Sequence, residues 1–232
     1  MKKILAAMLT LMTMILFSAC GNGGNTPPPE EKPAETSQAT EPATPENPAP
    51  APTPAPPPGT HKILVAYYSR PGDNYEVGVI QKGNTAIMAE MVAEKTGGTL
   101  FEIKPVKPYP DSYKECTEVA KKEQAENARP EIANKVEDWQ SYDVVFLGYP
   151  IWWSDFPMII YTFLEQNDFN GKTVIPFCTS AGEYMSGKEI NIPQIAKGAM
   201  IAQGLGIKGK HCQDDQNYLR EQVNYWINGL GY

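Results

Sequence analysis

Histidine is nearly absent from this chain: His61 and His211 are its only two, far apart. A His-based catalytic triad or a His-rich metal site is therefore hard to assemble. Cysteine is scarce too, with Cys20, Cys116, Cys178 and Cys212 at irregular spacing and no CxxC pair. One disulfide among the last three stays open outside the cytosol, although Cys178 ends a buried strand pattern and reads as a small core residue. Positive charge is in deficit. The formal net charge is -7, and losing Lys2 and Lys3 with a cleaved leader takes it to -9. That argues against nucleic acid and anionic membrane surfaces as direct partners of the folded part. No internal repeat is recognisable.

The first apolar run, residues 4–17 behind Lys2 and Lys3, is too short to span a bilayer comfortably and reads as a targeting segment. Its end, Leu16-Phe17-Ser18-Ala19-Cys20, resembles the lipobox of bacterial lipoprotein signals. That resemblance implies lipidation of Cys20 and an extracytoplasmic, lipid-anchored protein; a plain secretory signal cleaved near Ala19 is the alternative. Residues 21–60 then turn to Pro, Ala, Thr, Glu and Asn with almost no large apolar side chain, so no core can form. Polyproline II favours a semi-rigid tether of about 3.1 Å per residue, reaching on the order of 100 Å. The domain boundaries expected are thus 1–20 signal, 21–60 tether and 61–232 folded domain.

Residues 61–232 alternate strand and helix patterns. Apolar runs at 63–68, 99–103, 144–149 and 172–178 predict strands, with a fifth at 199–207 broken by Gly204 and Gly206. Leu100 and Phe101 are the core candidates of the second. Helical spacing runs through 85–95, from an Asp111 cap to about 127, through 158–164, and after Asp214 or Asp215 to Leu230. Such alternation predicts an α/β fold with a parallel sheet, right-handed crossovers and helices on both faces. Ligands of these folds bind beyond the C-terminal strand ends at the switch point.

Three loops at those ends carry chemistry. Ser69 follows the first strand, and Gly83-Asn84-Thr85 opens a helix, where free N–H groups and the positive end of the dipole suit a phosphate monoester. Arg70 belongs to the same loop, which residues 73–82 interrupt. The loop after Tyr149 holds Pro150, Ile151, Trp152 and Trp153, flat apolar surface where a polar turn is usual. The loop after Cys178, Thr179-Ser180-Ala181-Gly182, offers hydroxyls and small residues that let backbone amides approach a ligand. Tyr75 and Tyr184 are further lining candidates. The stretch from Gly204 to Gly209 fits G-x-G-x-x-G, but its glycines fall in or just past the last strand pattern, and it is set aside as a dinucleotide motif.

Taken together, the interrupted S-x-x-G-N-T loop, the P-x-W-W loop and the T-S-x-G loop resemble the flavodoxin-like family, in the branch with an inserted phosphate loop. The resemblance covers about residues 62–230. It implies a five-stranded parallel sheet of order 2-1-3-4-5, and it implies FMN, with Ser69, Arg70, Gly83, Asn84 and Thr85 at its phosphate. The loops at 150–153 and 179–182 would then lie about the flavin ring. P-x-W-W is similar as well to NAD(P)H:quinone oxidoreductases. Two functions follow: an FMN-dependent oxidoreductase passing electrons from a donor such as NAD(P)H to a quinone or similar small acceptor, or a one-electron carrier between redox protein partners. No acid or base stands out, so no catalytic side chain is assigned. The 150–157 loop lacks glycine, which predicts resistance to positive φ and favours two-electron chemistry.

Overall fold

The computed structural model describes residues 61–232; the signal, Cys20 and the tether lie outside the described residues. Strand β1 (Ile63–Tyr67) is followed by a hairpin of β2 (Gly72–Asn74) and β3 (Gly78–Ile80), helix α1 (Asn84–Thr96), β4 (Thr99–Glu102) and α2 (Tyr113–Ala125). Then come β5 (Val144–Pro150), α3 (Met158–Gln166), β6 (Thr173–Ser180), single-turn α4 (Ile192–Ile195), β7 (Met200–Ile201), β8 (Leu205–Lys208), α5 (Gly209–Asp214) and α6 (Gln216–Leu230).

The main sheet is parallel, ordered β4-β1-β5-β6, with β7 and β8 both paired to β6. This is the expected 2-1-3-4-5 order with the fifth strand in two pieces. Pro176 explains the break. It sits in β6 opposite the gap, and a Cβ on Gly204 would lie 2.6 Å from its carbonyl oxygen. Lacking an N–H, Pro176 cannot hold a partner strand at that point.

Both faces of the sheet are covered. Leu64, Ala66 and Tyr68 point into one core with Val145, Leu147 and the buried face of α3, while Ile63, Val65 and Tyr67 point into the other with α1 and α6. The period of two along β1 thus divides one apolar run between two cores.

Several expectations need correction. Leu100 is exposed, because β4 is an edge strand; Phe101 is half-buried and stacks on Phe163 at 6.3 Å. Ser112, not Asp111, caps α2. Asp215 caps α6 through Tyr218 N–H at 3.1 Å. Gly209 does open a helix, the short α5, but β8 beside it is the last strand, so no βαβ unit follows. Residues 73–82 are not a bare loop: they carry most of the β2–β3 hairpin. Cys116, Cys178 and Cys212 are buried free thiols.

Candidate functional site

Parallel pairing brings the C-terminal ends of β1, β5 and β6 to one edge, and the loops that follow them open side by side. They border a cleft of about 510 Å³, within the range of small-molecule sites. Arg70, Asn84, Pro150, Ile151, Trp152 and Trp153 line it, as do Thr179, Ser180 and Ala181. Ser69, Gly83, Thr85 and Gly182 stand behind that lining and shape it.

One end is built on the start of α1. Ser69 Oγ accepts from Ala86 N–H at 3.0 Å, capping the third residue of the helix and leaving the amides of Asn84 and Thr85 without intrahelical acceptors. Thr85 is buried, and its hydroxyl lies 2.8 Å from that of Thr179, tying the first loop to the third. Asn84 Oδ1 accepts from Gln213 at 2.7 Å. Gly83 is required by close approach: a Cβ there would stand 2.2 Å from Ser69 Oγ and 2.6 Å from Arg70 O. The Arg70 guanidinium is spent elsewhere. Its Nη1 donates to the carbonyls of Pro110 (2.8 Å) and Asp111 (2.9 Å), and its Nη2 to that of Asp73. What this end offers an anion is backbone N–H and helix dipole.

The other end is aromatic. Trp152 packs edge-on to Tyr68 (5.6 Å) and Tyr109 (5.0 Å), so this indole is partly a core residue. Trp153 is half-exposed, donates Nε1 to Thr117 O at 3.1 Å, and carries Lys121 Nζ 5.2 Å above its ring. Between them the backbone makes a tight turn, with Trp152 and Asp155 exchanging N–H···O bonds of 2.9 and 3.0 Å. Trp153 and Ser154 have φ of 49° and 60°. Positive φ at both central residues is the hairpin-turn geometry that glycine or asparagine usually supplies. The lack of glycine therefore does not keep this loop out of the left-handed region, contrary to the sequence expectation.

The third loop closes the cleft. Ile151 N–H donates to Thr179 O at 2.9 Å, joining it to the second. Ser180 Oγ bonds Gly182 on both N–H (3.0 Å) and O (2.8 Å), and the Tyr184 ring lies where a Gly182 Cβ would be, 2.2 Å away. Beneath sits Glu189, buried, whose Oε1 accepts from Ser186 N–H (2.9 Å), Ser186 Oγ (2.6 Å) and the Tyr149 hydroxyl. Burial pushes its carboxyl up, but the hydrogen bonds from Ser186 and Tyr149 outweigh that and leave its pKa below the ordinary value. Burial first, then neighbouring Cys178 and this carboxylate, drive the Tyr149 hydroxyl well up.

Helix α2 supplies a wall that sequence reasoning missed: Tyr113, Cys116, Thr117 and Ala120. Their spacing of three, four and seven is one helical stripe, legible in principle but composed of small and polar residues in a helix read as polar. Asn74, Met185 and Ser186 also line the cleft and carry no sequence signal. Tyr75 and Tyr184 border it as expected. A second cavity, about 550 Å³, lies between β3, α1 and α6. Its charges are already paired, Lys82 with Glu90 and Arg220 with Glu94, each at 2.8 Å. Among the described residues no His, Cys, Asp and Glu cluster could hold a metal ion.

The donor set fits a ligand with a phosphate at one end and a flat ring at the other. Comparison with known proteins points the same way. A protein of Bacteroides uniformis described as a flavoprotein is 32% identical, with TM-score 0.58, covering 72% of this chain and 98% of that one. A Bacteroides eggerthii flavoprotein is 30% identical, with TM-score 0.57, covering 75% and 99%. A Lactobacillus acidophilus flavoprotein in complex with FMN, 23% identical with TM-score 0.50 over 66% and 96%, shares the fold. No curated protein matches the chain. The flavodoxin model matches residues 62–227, and the chain belongs to the flavodoxin family.

Proposed function

We propose that this protein is an FMN-dependent oxidoreductase, held outside the cytoplasm by lipid on Cys20, that passes electrons from a reduced donor such as NAD(P)H to a quinone or similar small acceptor. FMN is the cofactor of the flavodoxin family, and the cleft suits it at both ends. The observation that carries the reading is the pairing of free α1 amides with two indoles across one cleft at the switch point. FMN, when bound, would supply the redox chemistry, a two-electron exchange in which the donor's hydride and one proton from solvent convert a quinone to its hydroquinone.

The chain's own residues bind and orient. The amides of Asn84 and Thr85 would hold the phosphate, with Ser69 and Gly83 fixing their direction. Trp152 and Trp153 would flank the ring, and Thr179–Ala181 would meet its polar edge. The purified protein should be yellow and release FMN on denaturation; a colourless protein that takes up no added FMN would overturn the reading. Cys20→Ser should leave membranes or accumulate as an uncleaved precursor, and normal processing with unchanged membrane retention would remove the lipid anchor.

The turn at Trp153 and Ser154 favours a second reading. A backbone already at positive φ removes the stiffness argument against one-electron chemistry, and with it the objection to a tethered carrier between redox proteins. Reductive titration decides. Direct passage between oxidised and fully reduced flavin, together with NAD(P)H-dependent quinone reduction, supports the enzyme; stepwise reduction without quinone turnover supports the carrier.

A further inference from the structure

Tyr75 is a large ring left 58% exposed in a segment that is otherwise firmly held. Its hairpin, β2–β3, stands on the first loop and is stapled at the base. Arg70, only 8% exposed, binds carbonyls of Pro110 and Asp111 on one side and of Asp73 on the other. Asp73 N–H donates to Asp111 O at 2.9 Å, and Asn74 Nδ2 donates to Gly72 O at 3.0 Å.

The tip reaches the opposite side. Glu76, at φ 62°, pairs with Lys208 at 3.1 Å, and Lys208 lies in register with Ser180 at the end of β8. From β1 to β8 is three strand positions, about 14 Å at ordinary spacing. The hairpin therefore lies across the C-terminal edge of the sheet and brings Asn74 and Tyr75 to the cleft.

There Tyr75 faces Tyr113 of α2, the ring centroids 6.0 Å apart and the planes 34° from parallel. Both border the same cleft as Trp152 and Trp153. Neither hydroxyl has a hydrogen-bond partner among the described residues. Arg70 is the one charged side chain in the lining, and its guanidinium is committed to carbonyls. Tilted, half-open rings in a lining without a free charged side chain suit a flat neutral ligand.

We infer that Tyr75 and Tyr113 form the wall of a second-ligand subsite, beside the cofactor site, that takes a small, neutral, planar acceptor of the quinone class. The inference rests on the cleft being the FMN site. It assigns the inserted hairpin a role in acceptor selection.

The test uses the full-length FMN-loaded protein with Tyr75→Ala, Tyr113→Ala and Tyr75→Phe. Two dissociation constants are measured for each: that of FMN by fluorescence titration, and that of 2-methyl-1,4-naphthoquinone for the oxidised protein by calorimetry. The alanine variants should bind the quinone about tenfold more weakly while FMN affinity stays within about twofold, and Tyr75→Phe should behave as the unmodified protein. The sites are solvent-facing, so the variants should melt close to the unmodified protein. Unchanged quinone affinity in both alanine variants would overturn the subsite. So would an FMN loss as large as the quinone loss, which would make these rings a cofactor wall. If the unmodified protein takes up no FMN, the cofactor reading fails and the subsite with it.

Discussion

The two ends of the cleft are built on opposite principles. At the α1 end the side chains are used up inside the protein: Ser69 caps Ala86, Thr85 meets Thr179, Asn84 holds Gln213 and Arg70 grips carbonyls. A ligand there meets backbone. At the aromatic end the backbone is used up, in the turn from Trp152 to Asp155 and in the hairpin, and side chains are left in solvent: Tyr75, Trp153 and Tyr184. The difference matches what the proposed placement of FMN asks of each end. A phosphate needs donors of fixed direction, which amides at a helix start supply without rotamer entropy. A flat ring needs area, which side chains supply.

The sharpest way to break this contrast is Gly83→Ala. The added methyl meets backbone at 2.6 Å as well as Ser69 Oγ, so the loop that aims the amides must shift rather than a rotamer. FMN affinity should fall about 100-fold, on the order of 2.7 kcal/mol, with riboflavin, which lacks the phosphate, much less affected. Equal losses for both ligands in a fluorescence titration would place the phosphate elsewhere.

Next in size is Glu189, on which the aromatic end depends. Its carboxylate takes three donors that fix Ser186 and Tyr149 beneath the third loop. Glu189→Gln should cost about 1–2 kcal/mol, or roughly 2–8 °C in Tm for a domain of this size. The pH dependence carries a sign. A carboxyl whose folded pKa lies below its unfolded value stabilises the fold above that unfolded value, near pH 4.3, and the contribution is lost as pH falls through the depressed folded value. The Tm gap between the two proteins should therefore be full at neutral pH and close under acid. A gap independent of pH from 7 to 3 would show that the carboxylate's charge has no part in it.

How far the sequence discloses each end reflects the same contrast. Strands β1, β5 and β6 are continuous apolar runs because both faces are buried, and the order follows from family resemblance and crossover rules. The loops with Trp152 and Trp153, and with Thr179 and Ser180, are legible because residue type is itself the signal. The hairpin is not, since Asp73 to Ile80 has no alternation of its own and depends on Arg70, which is buried against distant carbonyls. Glu189 leaves no trace either: a buried carboxylate looks in sequence like any surface acid. Pro176 could have been read as the break in the fifth strand, but only once its pairing partner is known.

A smaller effect tests the tie between the two ends. Thr85→Val keeps the shape of a buried side chain and removes one hydroxyl of the pair with Thr179. Thr179 is then left to find another partner, and stability should drop by about 1 kcal/mol. Because the phosphate is assigned to amides and not to this hydroxyl, FMN affinity should change less than threefold. A loss of tenfold or more, measured beside an unchanged Tm, would return Thr85 to the list of direct phosphate donors.

The smallest expected change is the one that bears on chemistry. Ser154 already occupies φ 60°, and Trp153 beside it φ 49°. A left-handed conformation costs a non-glycine residue about 1–2 kcal/mol, part of which glycine returns as lost entropy on folding, so Ser154→Gly should stabilise the protein by about 0.5–1 kcal/mol. On the sequence alone the same substitution would be expected to free a stiff loop and promote one-electron reduction. The turn removes that reason, because its backbone has no barrier left to cross. The expected outcome is a Tm increase of a few degrees with an unchanged reductive titration. A marked shift toward stepwise reduction in Ser154→Gly would mean that the loop still has to move when the flavin is reduced, and that the strain at Trp153 and Ser154 opposes the movement.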